Sequence, residues 1–222
     1  MNEYSRNIHI RCEYCGTEYD HVSHLVVEKH ESKKLTQDII NDEFFYAVCP
    51  HCNLMTGVDH PVTYIDMENR TLLAYFDSDI ELSLAETQIG ELMRECDVSN
   101  NYNTVRVVST QNELREKIIL LNNGLDDRVI EILKLWGLDH IREEGHLQNF
   151  EEMRCSVLKD GRLNVDFVGD EPMHIALPMS YYDKLAKSMK NALETTKTPL
   201  VISTEWAVEF DVANRLEGGN KE

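Results

Sequence analysis

Apolar and polar positions alternate from Ile8 to Arg11, which predicts a short strand. Ser23–Glu28 (SHLVVE) reads as a second strand. Ser32–Asn41 sets Leu35, Ile39 and Ile40 on one face and reads as a short helix. Phe44–Val48 is aromatic and β-branched, a third strand. Val62–Asp66 and Thr71–Phe76 flank the polar run Met67–Arg70 and predict a hairpin. Ser83–Glu86 reads as a capping box opening a helix towards Glu95, and Thr104–Val108 as a strand. Thr110–Glu113 is a second capping box, ahead of Leu114, Ile118 and Leu121. Asn122-Asn123-Gly124 closes that helix. Asp126 and Asp127 open another, which carries Ile130, Leu133 and Trp136 towards a core and ends at Gly137.

Beyond Gly137 the pattern changes. The polar, acidic run Asp139–Glu152 reads as a linker. Met153–Leu158 and Arg162–Val168 alternate on either side of Asp160-Gly161, a hairpin signal. Met173–Met179 reads as a short strand, Ser180–Glu194 as a helix, and Val201–Val212 as a long strand. The fold class is α+β. A domain over 1–137 has a zinc-ribbon-like core at 8–77 and a helical segment at 83–137. A small α/β unit follows over 153–216.

The chemistry lies between the first elements. Cys12-Glu13-Tyr14-Cys15 and Cys49-Pro50-His51-Cys52 are two Cys-x-x-Cys pairs with 33 residues between them. Two such knuckles supply the four thiolates of a tetrahedral zinc site at Cys12, Cys15, Cys49 and Cys52. Gly16 suits the chain reversal after the first pair. Four sulfurs fill a tetrahedral ion, so this zinc would be structural. A redox dithiol at Cys49/Cys52 is the competing reading. Gly57 and Pro61 oppose the helix that such a site needs after its first cysteine, and Cys12 and Cys15 would be left without a role.

Together CEYCG, FFYAVCPHC, TYIDMENRTLLAYF and NELREKIILLNNGLDDRVIEILK resemble the CpXC-domain proteins of bacteria and archaea, over roughly residues 8–136. Glu13 stands where the family name implies proline, and Pro50 keeps it. The resemblance implies four metal-ligating cysteines and a zinc-ribbon-like core. It brings no catalytic residue and no substrate.

Charge narrows the partners. Acids outnumber bases 40 to 22, for a net charge of −18, which works against phosphate backbones and anionic membranes. No stretch is apolar enough to span a bilayer, and the N-terminus has no apolar leader, so the cytoplasm is the expected compartment. There is no Gly-x-Gly-x-x-Gly, Walker loop or Gly-x-Ser-x-Gly elbow. The expected role is a zinc-stabilised interaction or adaptor protein with a protein partner. Alternatives are a nucleic-acid or transcription-machinery binder, and an enzyme with a site between the two units around His140, His146, Asp170 and His174. His51 reads as solvent-facing. His21, His24, His30 and His60 read as surface groups or second donors to the sulfurs. Cys96 and Cys155 read as inert buried thiols, and Tyr181 and Tyr182 as one wet and one packed ring.

Overall fold

The computed structural model describes residues 4–76, 84, 87, 89–91, 102–146 and 149–218. The chain forms two compact units, Met1–Arg115 and Glu116–Glu222. It contains both helices and strands, an α+β fold.

In the first unit, β1 (Ser5–Arg11) and β2 (Glu18–His24) form an antiparallel hairpin. The strand expected over Ser23–Glu28 is broken at Leu25. Its first half ends β2 and its second half is β3 (Val26–Glu28), in a different sheet. Helix α1 (Lys33–Ile40) buries Thr36 and Ile39. A second hairpin pairs β4 (Tyr46–Val48) with β5 (Met55–Gly57). The expected hairpin is β6 (Val62–Asp66) with β7 (Thr71–Tyr75), and every residue of both strands is buried. Asp66 shapes its turn by accepting hydrogen bonds from the backbone and side-chain nitrogens of Asn69. β8 (Thr104–Val108) completes a four-stranded mixed sheet of order β3-β6-β7-β8.

Residues 84, 87 and 89–91 are helical, whereas the capping box at Ser83–Glu86 and Cys96 fall outside the described residues. The second box forms as expected at α2 (Gln111–Asn122). Glu113 N–H donates to Thr110 Oγ1 and Thr110 N–H to Glu113 Oε2, both at 3.1 Å.

Expectations for the second half change in several places. Helix α3 (Asp127–Glu143) runs six residues past Gly137, through the expected linker. A Cβ at Gly137 would lie 3.1 Å from the Phe167 ring, so this glycine admits close packing rather than stopping the helix. Gly145, at φ 96°, closes the end, where Gly145 N–H donates to Arg142 O and His146 N–H to Ile141 O. Trp136 is 42% exposed, and its neighbours Leu135 and Leu138 face the core instead. The second compact unit begins at Glu116, whereas the first domain expected from sequence runs over 1–137.

That unit is an antiparallel meander of β9 (Glu152–Val157), β10 (Leu163–Val168) and β11 (Met173–Leu177), in the order β11-β10-β9. It is followed by α4 (Met179–Thr195) and α5 (Thr204–Gly218). The run Val201–Val212, read as a strand, is mostly α5. Ala207 and Phe210 are buried three apart, a helical spacing, and Ser203 Oγ lies 3.4 Å from Trp206 N. Leu163, Val165 and Phe167 face Ile130, Leu133, Ile141, Leu185 and Phe210 in one core.

Several polar groups are buried in this unit. Lys134 bonds Glu116 and lies 2.9 Å from Glu131 Oε1. Lys117 donates to Asp127 at 3.1 Å and to Ile202 O at 3.0 Å. Tyr182, the packed ring of its pair, accepts from Asp126 N–H at 2.7 Å, and Tyr181 is exposed. Cys155 is buried, and burial pushes its thiol up to about 12.

Candidate metal centre

The two cysteine pairs occupy the tips of the two hairpins, one between β1 and β2 and the other between β4 and β5. The two tips repeat one backbone design. Cys12 N–H donates to Thr17 O and Cys49 N–H to Leu54 O; Gly16 N–H donates to Cys12 O and Asn53 N–H to Cys49 O; all four are 2.9 Å. The residue after each second cysteine is left-handed, Gly16 at φ 72° and Asn53 at φ 59°. Glycine and asparagine are the residues that enter this region most readily. The sequence marked Gly16; Asn53 is its counterpart in the second knuckle.

These turns bring the four sulfurs together. Cys12 Sγ lies 3.5 Å from Cys52 Sγ, and Cys15 Sγ 3.6 Å from Cys49 Sγ. All four lie within 4.8 Å of one another. A disulfide needs about 2.05 Å. A tetrahedral ion with metal–sulfur bonds of about 2.3 Å sets its sulfurs about 3.8 Å apart. The spacing therefore fits four ligands around one ion and does not fit disulfides. Cys12 and Cys49 are buried, while Cys15 and Cys52 are half-buried.

The electrostatics favour a cation. The Thr17 hydroxyl, 3.2 Å from Cys15 Sγ, and then the Thr17 amide hold the Cys15 thiol down at about 5. The Leu54 amide acts in the same sense on Cys52. Desolvation and the other three sulfurs outweigh it and push Cys52 up to about 12. Four thiolates this close repel, and a divalent cation removes the conflict by deprotonating every ligand.

A family model described as CpXC protein matches residues 10–134, more than half of the chain. The chain belongs to the CpXC family. No curated protein and no solved structure matches it. The CpXC match runs from the end of β1 into α3, and all four cysteines lie within it.

The other sequence candidates divide. Cys49 enters a turn and the next element is β5, so no helix opens there to activate a dithiol. His51 is exposed. His60, expected at the surface or beside the sulfurs, is a core group. Its ring lies 5.6 Å from Phe44 and 5.4 Å from Phe45, and Nδ1 is 3.1 Å from Pro61 O. His30, Asp66 and Glu68 form the second cluster of potential ligands among the described residues. Asp66 there is already engaged by Asn69 and, at 2.7 Å, by Lys29, whose ammonium fills the cation's role. His140, His146, Asp170 and His174 belong to neither cluster. His140 pairs with Glu144 on an exposed face of α3 at 3.5 Å. His174 lines an open groove of about 250 Å³ with Arg154 and Asp166. Among the described residues, no helix is long and apolar enough to cross a membrane.

Proposed function

We propose that this CpXC chain is a non-catalytic interaction module whose N-terminal unit is stabilised by one structural zinc ion. The carrying observation is the convergence of four sulfurs on two equivalent knuckles. An all-thiolate tetrahedral donor set suits zinc, and it leaves no position for water or substrate. Cys12, Cys15, Cys49 and Cys52 hold the ion, and the ion holds the two hairpin tips in register. Free thiolate ligands fit a reducing cytoplasm. A net charge of −18 favours a protein partner over nucleic acid.

The test is metal analysis of the native full chain, alone and after chelation. The expected result is about one zinc per chain, with chelation melting the N-terminal unit, because small zinc domains draw on the order of 10 kcal/mol of folding energy from the metal. Metal-free protein with that unit fully folded overturns the proposal. So does zinc that carries an exchangeable water.

A further inference from the structure

The metal-bearing tips carry an apolar surface that the fold does not use. Tyr14 is 81% exposed, Val48 53%, Met55 52% and Leu54 39%. Tyr14 stands between Cys12 and Cys15, and the other three lie within three residues of Cys49 or Cys52. Val48 and Met55 are cross-strand partners in the β4–β5 ribbon, so their side chains share its outer face. The neighbouring pair, Ala47 and Thr56, faces the other way, and Ala47 is fully buried. A shortage of core does not explain this display, because β6 and β7 of the same unit are buried at every position. Tyrosine and methionine are enriched where proteins meet, and a ribbon fixed by its turns loses little freedom on binding.

The charge along these tips is predominantly acidic, with exposed Arg11, next to Cys12, the exception. Residues 12–28 and 35–69 contain no lysine or arginine, yet they hold Glu13, Glu18, Asp20, Asp42, Glu43 and Asp59 among other acids. Glu13 is exposed beside Tyr14, and the Glu18 side chain is 61% exposed. An apolar face in a stretch where acids outnumber the single flanking arginine complements a segment that sets lysine or arginine beside large apolar side chains. It repels phosphate and acidic peptides alike.

Building on the interaction-module reading, we infer that the knuckle face of Tyr14, Val48, Leu54 and Met55 docks a cationic, apolar segment of a partner protein. The experiment pans the full-length, metal-loaded chain against a random dodecapeptide library. Selected peptides are then measured by fluorescence anisotropy against wild type and the double variant Tyr14→Ser/Met55→Ser. Both substituted side chains are exposed, and zinc content and circular dichroism confirm that the variant is folded. The expected result is a set of peptides of net positive charge with at least one aromatic, leucine or methionine. Their binding falls about tenfold or more in the variant, the size of a lost interface anchor. No enrichment, acidic selected peptides, or equal binding by the variant overturns the inference. If the chain carries its zinc while any of these occurs, the scaffold reading stands and only the docking face is lost. A chain folded without metal brings down the scaffold reading itself.

Discussion

Replacing Lys134 by methionine tests the buried charge cluster of the second unit. The Lys134 side chain is 5% exposed and its partners Glu116 and Glu131 are 8% and 7% exposed, so water does little to screen the change. Two carboxylates share this one ammonium. Glu116 also accepts the Cys155 N–H at 2.9 Å, and Glu131 Oε2 lies 3.4 Å from Thr204 Oγ1. Burial pushes the Glu116 carboxyl above its ordinary range, with Lys134 opposing the shift. Burial also works against the charge of Lys134, but the attraction of Glu116 and Glu131 outweighs it and raises that group. Methionine fills the volume but leaves two buried acids without a cation. Breaking one partner of such a set costs roughly 3–5 kcal/mol.

The readout is selective. Trp136 and Trp206, the chain's two tryptophans, both lie in the second unit, so their fluorescence follows that unit alone. With a urea slope of about 1–3 kcal/mol/M, the midpoint should fall by about 2 M. The sign with pH follows from linkage. Without the ammonium that opposes its upward shift, the native Glu116 carboxyl holds its proton above the pH at which the unfolded chain releases it. The variant therefore loses stability as pH rises and recovers part of it as pH falls. Adding Glu116→Gln and Glu131→Gln should restore most of the loss, since no unpaired charge remains. A midpoint shift below about 0.5 M, or a loss that does not change with pH, would refute the account.

Gly137→Ala should destabilise the second unit by about 1 kcal/mol. The gain in helix propensity is outweighed by crowding against Phe167, which is fully buried and held by Phe150 at a ring distance of 5.3 Å; a higher urea midpoint would show the site has room. Acid should weaken the first unit through its histidines. Desolvation lowers His60 and His21, with His24 adding to the effect on His21, so the unfolded chain takes up protons near 6.5 while the native one does not. That contribution is complete above 6.5 and is lost as pH falls towards the native values. His9, raised by Asp20, acts in the opposite sense but is fully exposed. Because acid also strips thiolate sites of metal, the measure is the difference between wild type and His60→Phe in melts followed by tyrosine dichroism. Curves that stay parallel from pH 7.5 to pH 5.5 would remove His60 from the account.

The four-cysteine cluster was legible because residue identity and spacing are themselves the constraint. Two Cys-x-x-Cys pairs leave the chain few ways to place four sulfurs, and Gly16 marks the turn. The Asp160-Gly161 hairpin and the capping box at Thr110–Glu113 were legible for the same reason, since local chemistry decides them. What failed was decided from a distance. Val201–Val212 satisfies a period of two and a helical period at once, and the packing of Ala207 and Phe210 into the core selects the helix. Gly137 looks like a stop in one dimension and is a contact in three. Glu131 and Lys134 lie three apart on one helix, but the third member of their buried cluster, Glu116, comes from another helix, so no local pattern marks it. Asn53 escaped notice because asparagine signals a left-handed turn more weakly than glycine does.

The limits of the family match and of the folding units do not coincide, and the mismatch bears on which part defines the family. The match ends at residue 134, inside α3, after that helix has presented Val129, Ile130 and Leu133. Those side chains are buried in a core whose other members include Leu163, Val165 and Phe167 of β10. The β10 strand lies outside the match. An apolar helix face requires a cover, but any sheet of suitable size and period can provide one. The four cysteines allow no such freedom, since replacing one sulfur changes the donor set that they could offer a metal ion. The matched stretch therefore holds the cysteine-bearing tips and the first part of α3, whereas the β10 strand that covers that helix lies outside it.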